Sequence, residues 1–241
     1  MAIKYSALVP VKTLAQAKSR LGYHLSPRQR ESLVLDMLHH VIHTLCDSEV
    51  FEQVYVVSAD PKVLELVQHW DAEPLREMQP GHNAALQAAA LTIMERAAWR
   101  EGAYSTWLTL REQDLSHQEQ AENARQMLPE EGLLTISADL PLITPGDIQE
   151  LIRAAEHYQV VLAGSSDSTG TNALLTHPPL VLPYLFGVNS LPAYIRAAHA
   201  RQLSYTLFQH DHLAFDVDTP EDLQVLEQSS HAWSSIVSPV R

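Results

Sequence analysis

The sequence predicts an α/β protein built on a mostly parallel, mixed sheet with helices on both faces. Three observations carry that reading. Apolar runs of strand length alternate with amphipathic helical patterns along most of the chain. At 241 residues, 46% of them apolar, the chain can fill the core such a sheet needs. Four helix starts share one punctuation, a capping oxygen followed by proline: Ser26-Pro27, Asp60-Pro61, Thr144-Pro145 and Thr219-Pro220.

In chain order, "YSALVPV" reads as a buried strand and "SPRQRESLVLDMLHHVIHTL" as a long amphipathic helix. Strand "QVYVVS", helix "PKVLELVQHW" and a short strand "AEPLRE" follow. A helix starts near Gly81 and runs through "AALQAAALTIMERAA". Then come strand "GLLTIS", helix "PGDIQELIRAAEHY" and strand "VVLAG". A strand is expected after Gly170 and a helix over "PAYIRAAHARQ". Asp147 and Asp222 each fall three residues after a cap, where a carboxylate reaches back to a free N–H. Glu221 and Asp222 are therefore helix-start residues.

Residues 99–132 break the alternation. They are polar and rich in Gln and Glu, and are expected to be an insertion with "STWLTL" as an extra strand and "SHQEQAENARQML" as an exposed helix. The organisation expected is one domain over 1–228, containing that insertion, and a C-terminal tail over 229–241.

The net charge of −13 argues against a nucleic-acid partner, whose binding surface needs clustered Lys and Arg. No apolar run reaches the length of a membrane span and no signal-peptide core is evident, so no membrane partner and a cytoplasmic location are expected. Cys46 stands alone, which rules out an internal disulfide framework. His39, His40 and His43 lie on one helix without the glutamate of a zinc-protease motif and read as a partly solvated face. There is no Gly-rich dinucleotide loop and no Walker lysine loop.

Positive charge is concentrated in "VKTLAQAKSRL", which holds Lys12, Lys18 and Arg20 out of 16 basic residues. Asp139 follows an apolar strand, at the end where open α/β sheets place ligands. Asp216 and Asp218 stand two apart in an extended run, on one face and roughly 6.6 Å from each other. That pair suits Mg2+, a hard cation often shared with substrate phosphates, while Asp139 reads equally as a turn aspartate and Asp218 also as a helix-entrance residue. Thr171 and Gly170 before a strand, and Gly187, Asn189 and Ser190 before a helix, offer hydroxyls and N–H groups to an anion. Turns and ordinary caps explain these last features equally well.

"VPVKTLAQAKSRL", "QPGHNAAL", "SADLPLIT", "STGTNALL", "FGVNS" and "DVDTPEDL", in that order, resemble the 2-phospholactate guanylyltransferases, relatives of the molybdenum-cofactor guanylyltransferases. The resemblance implies a Rossmann-like nucleotidyltransferase domain. It implies transfer of GMP from GTP to 2-phospho-L-lactate, phosphoenolpyruvate or 3-phosphoglycerate, with release of pyrophosphate, in deazaflavin coenzyme biosynthesis. On the matching positions Asp139, Asp216 and Asp218 would hold Mg2+ and act in catalysis with Lys18. Lys12, Lys18, Arg20, Gly81 and Asn83 would bind the nucleotide, and Thr171, Gly187 and Ser190 the acceptor phosphate. The partners implied are GTP and a phospho-acid, with a homo-oligomer compatible.

The chain departs from that pattern at several places. Ser165 and Ser166 stand for an Asp-Arg pair, Ser168 for a glycine, Leu191 for Phe, Tyr194 for His, and His82 for the Leu of Gly-Leu-Asn. A different base or acceptor, or a non-catalytic nucleotide-binding protein on the same fold, therefore remain rival readings.

Overall fold

The computed structural model describes residues 3–111, 119, 122–123, 126 and 131–229. Seven strands form one sheet: β1 (Lys4–Val11), β2 (Phe51–Ser58), β3 (Glu73–Arg76), β4 (Glu131–Ile136), β5 (Val160–Gly164), β6 (Thr171–Thr176) and β7 (Tyr205–Leu207). Their order is β3-β2-β1-β4-β6-β5-β7. β6 runs antiparallel to both of its neighbours, and the remaining pairs are parallel. The order reverses direction between β1 and β4, which makes a crevice at their carboxyl ends.

The described helices are α1 (Pro27–Asp47), α2 (Pro61–Val67), α3 (His82–Arg100), α4 (Tyr104–Arg111), α5 (Pro145–Ala155), α6 (Ser190–Ala200), α7 (Asp211–Ala214) and α8 (Pro220–Ser229). A 3-10 helix spans Ser19–Tyr23. The expected caps form. Ser26 accepts from Gln29 N–H, Asp60 from Lys62 N–H, and Thr144 and Asp147 bond each other reciprocally. Thr219 and Asp222 repeat that arrangement, with Thr219 N–H donating to Asp222 at 2.7 Å. These bonds satisfy N–H groups that the first helical turn leaves free.

Alternation along β1 sorts its side chains onto two cores. Ala7, Val9 and Val11 pack with α1, α2 and α5 on one face, while Leu8 joins α3 and α6 on the other. A third, smaller cluster holds Leu21, Leu25, Leu33, Met37, Val217, Leu223 and Leu226. It clamps the 3-10 helix and the segment before α8 onto α1.

The "STWLTL" stretch is helical, within α4, and not a strand. Its aromatic and β-branched content suits a strand, but Tyr104 packs edge-on against Trp99 and joins the second core, so tertiary contacts decide. Of "SHQEQAENARQML", Glu119, Glu122, Asn123 and Gln126 are helical, and the rest lies outside the described residues, as does the tail from 230 onward. β7 and α7 are additions the sequence pattern did not announce. No described helix is long and apolar enough to cross a membrane.

Candidate active site

The crevice between β1 and β4 opens into a cavity of about 390 Å³. Its wall combines Lys12, Lys18 and Arg20 from the loop after β1, Asp139 from the loop after β4, Asp218, His82 and Phe186. Two anchors shape the basic loop. Asp60, already capping α2, also accepts Leu14 N–H at 2.9 Å, and Leu21 is fully buried in the third cluster. Between them Lys18 takes a left-handed backbone conformation, φ 51 and ψ 40, uncommon for a residue with a side chain. That conformation directs its ammonium inward.

The Lys18 ammonium bonds Asp139 and, at 2.9 Å, Asp218. It is 8% exposed, against 27% for Asp139 and 45% for Asp218. Burial alone would lower its proton affinity, yet the two carboxylates overcome that and hold it above its ordinary value. Arg20, on the exposed side, reaches the second oxygen of Asp218 at 3.4 Å. Asp218 has the mirror-image balance: burial pushes its carboxyl up, but Lys18, then Arg20 and Lys12, pull it below the usual range.

Asp216 goes the other way. Burial, then the negative charge of Asp139, raises its carboxyl, and the hydrogen bond from Asn172 offsets this only in part. Val217 explains how the pair is presented. It is fully buried in the third cluster, so the flanking aspartates turn away from that core. Val217 N–H also donates to Asp139 O at 3.4 Å, tying the two carboxylate segments together. Asp139, Asp216 and Asp218 offer the oxygen donors a hard cation prefers, although their oxygens do not all lie within 4.8 Å of one another and Asp216 does not line the cavity. Lys18 supplies the positive charge between two of the three.

Thr171, Gly187 and Ser190, expected on the acceptor side, also meet. Thr171 and Ser190 are buried, and the Ser190 hydroxyl donates to Thr171 Oγ1 at 3.0 Å. Ser190 N–H donates to Gly187 O at 3.2 Å, and Gly187 adopts φ 136, a conformation open to glycine. Thr171 opens β6, beside Asn172, whose carbonyl accepts Ser137 N–H at 2.8 Å. The trio thus sits at the same sheet end as Asp139, although it does not line the 390 Å³ cavity itself, which Phe186 borders.

Gly81, at φ 96, lets the chain turn into α3 and sets His82 in the wall. Asn83 points its amide at the backbone: Nδ2 donates to Phe186 O and Oδ1 accepts Phe186 N–H, both at 3.0 Å. Its described contacts therefore fix the loop that carries Gly187. Tyr194, the departure from histidine, does related work. Fully buried, its hydroxyl accepts Leu185 N–H at 2.8 Å.

The departing serines sit in a loop tied to its neighbours by Ser166 N–H, which donates to Ala214 O at 2.9 Å, and by Leu191 N–H, which donates to Thr169 O at 3.1 Å. Ser165 Oγ donates to Asp167 at 2.7 Å and accepts Gly170 N–H at 2.8 Å. Hydrogen bonds from Ser165 and Thr169 hold the Asp167 carboxyl at about 2. Sequence reasoning missed Asn172, which is buried and donates to Leu213 O at 3.0 Å and to Asp216 at 3.3 Å. A buried amide within "GTNALL" was the available signal. His39 and His43 are exposed with rings 4.2 Å apart, while His40 bonds Ile143 O at 3.0 Å, as a helix face would.

A profile of the family described as "Guanylyl transferase CofC like" matches residues 5–98 and 106–231. The chain belongs to this CofC-like guanylyl transferase family. It is 37% identical over 224 residues to a phosphoenolpyruvate guanylyltransferase of Rubrobacter xylanophilus, covering 92% of this chain and 93% of that protein. A 3-phospho-D-glycerate guanylyltransferase of Colwellia psychrerythraea is 26% identical over 224 residues, covering 93% and 91%. Among solved structures, a nucleotidyl transferase from Methanothermobacter superposes with a TM-score of 0.57 at 15% identity, over 93% of this chain and 96% of that one. A 4-diphosphocytidyl-2C-methyl-D-erythritol synthase from Anaerococcus prevotii gives 0.55 at 8%, over 94% and 95%. These two likenesses show that this CofC-like chain shares their α/β fold.

Proposed function

We propose that this CofC-like protein is a Mg2+-dependent guanylyltransferase that moves GMP from GTP onto the phosphate of a small phospho-acid and releases pyrophosphate, in deazaflavin coenzyme biosynthesis. Phosphoenolpyruvate is the first candidate acceptor, because the 37% identical relative is named for it, with 3-phosphoglycerate and 2-phospho-L-lactate next. The observation that carries the reading is the meeting of Lys18 with Asp139 and Asp218 at the β1/β4 crevice, in a chain of this family.

An acceptor phosphate oxygen is already largely ionised at neutral pH, its second pKa being about 6, so no general base is required. That oxygen forms a bond to the α-phosphorus of GTP. The bond from that phosphorus to the bridging oxygen breaks, and its electron pair leaves with pyrophosphate. The difficulty is to bring two polyanions together and to stabilise charge on the leaving group. Lys12, Lys18 and Arg20 line the cavity wall, from which they would face the triphosphate. With the Ser190 hydroxyl donating to Thr171, the Thr171 hydroxyl proton would be left to donate to the acceptor phosphate, and Gly187 would let backbone approach it. Asp139, Asp216 and Asp218 would hold Mg2+, which supplies neutralisation of phosphate charge when bound.

Pyrophosphate release should be measured with GTP, ATP, CTP and UTP against each of the three acids. Release with GTP and one acid is expected. Activity with another base would redirect the reading to a different nucleotidyltransferase, and GTP binding without release would favour the non-catalytic reading. Asp216→Asn should abolish release while the protein stays folded.

A further inference from the structure

The described residues contain one group of three His, Cys, Asp or Glu side chains whose ligand atoms all lie within 4.8 Å of one another, and it stands outside the crevice: Asp147, His210 and His212. We infer that this group is a second metal site, for a divalent transition ion of the Zn2+ type, that staples α5 to the segment leading into α7.

The charge balance motivates it. Asp147 is 7% exposed, and the ion pairs it makes among the described residues are with the two imidazoles, with no Lys or Arg. A buried carboxylate flanked by two imidazoles and by no Lys or Arg is a place where a divalent ion would add positive charge. The donors also match in type, since two imidazoles and a carboxylate suit Zn2+ far better than Mg2+.

Geometry agrees. His210 Nε2 lies 3.2 Å from Asp147 Oδ1, and His212 Nδ1 lies 2.8 Å from Oδ2. Ligands on a tetrahedral ion with bonds near 2.0–2.1 Å stand about 3.3 Å apart, so these two pairs lie within about half an ångström of that spacing. The carboxylate is held for this by Thr144 N–H, which donates to Oδ2 at 2.8 Å. His210 stacks on Phe208 with rings nearly parallel, which holds the imidazole plane while Nε2 faces Asp147. His212, with a side chain 43% exposed, leaves a path for the ion and an open coordination position for water.

The placement gives the site a consequence. Asp147 lies eight residues beyond Asp139, and His212 four before Asp216. Asn172 already bonds Leu213 O within the same segment. An ion here would cross-link the two segments that present the crevice carboxylates.

The test is titration of the chelator-stripped, full-length protein with Co2+ and with Zn2+, in excess Mg2+ to occupy the crevice carboxylates. One equivalent should bind, Co2+ should give visible ligand-field absorption of a low-coordinate site, and Tm should rise. His210→Gln and His212→Gln, each shown folded by circular dichroism, should weaken Co2+ binding about tenfold or more. His39→Gln/His43→Gln, which removes the exposed pair on α1, should bind like the parent. No stoichiometric uptake by the parent would overturn the inference. So would uptake that survives both single variants, or that is lost with His39 and His43.

Discussion

Replacing Lys18 with methionine keeps an unbranched side chain one atom shorter and removes the charge that Asp139 and Asp218 share. Deleting one partner of a fully buried ion pair costs about 3–5 kcal/mol, and an exposed pair is worth about 0–1. Here the ammonium is buried at 8% exposure, while the carboxylates are 27% and 45% exposed and can regain water. The expected loss without metal is therefore about 2 kcal/mol, intermediate between those limits. For a chain of this size that is a Tm lower by roughly 4–8 °C. Urea unfolding of both proteins in EDTA and again in Mg2+ measures it, and the gap should narrow when the cation supplies the missing charge. Pyrophosphate release should fall by roughly 100-fold or more, the usual scale for a lost electrostatic contact to the transition state. Equal stability in EDTA would refute the claim that Lys18 holds the cluster together.

Opposite shifts at neighbouring aspartates give opposite outcomes. The folded state binds the Asp216 proton more tightly than the unfolded chain does, so Asp216 costs stability as pH rises from the unfolded value through its raised folded value. Asp216→Asn should therefore melt higher than the parent at pH 7 in EDTA, though inactive. Asp218 is depressed, so its contribution is present above the unfolded value and fades as pH falls through the folded one; Asp218→Asn should melt lower at pH 7 and converge with the parent in acid. Asn172→Ala removes the bonds to Asp216 and Leu213 O, and should weaken Mg2+ activation of turnover more than it lowers Tm. Val217→Ala in the third cluster should cost roughly 1–3 kcal/mol in urea unfolding and lower turnover as well, because the same side chain orients both aspartates.

Much of this was legible because strand-end and cap signals are local. Asp139 could be placed from one apolar run, and Thr144-Pro145 and Thr219-Pro220 announced their helices with their carboxylate partners. Asp216 and Asp218 could be paired by spacing, but not their aim, which depends on Val217 meeting Leu21 from almost two hundred residues away. Lys18 could be grouped with the basic loop, while its left-handed backbone and its contact with Asp139 are tertiary facts. Asn83 shows the reverse error of emphasis, since its amide holds the Phe186 backbone. β7 has three residues at a sheet edge and α7 four, too short for either periodicity to register. The Asp147, His210 and His212 group joins residues 63 and 65 positions apart, so no spacing motif reveals it.

The most direct test of the account is 31P NMR of the protein incubated with GTP, Mg2+ and phosphoenolpyruvate. Guanylyl transfer predicts loss of the triphosphate signals, growth of pyrophosphate, and a new pair of mutually coupled phosphorus resonances from the bond joining GMP to the acceptor, all missing with Asp216→Asn. Appearance of GDP and orthophosphate alone, or unchanged spectra with phosphoenolpyruvate, 3-phosphoglycerate and 2-phospho-L-lactate alike, would contradict it.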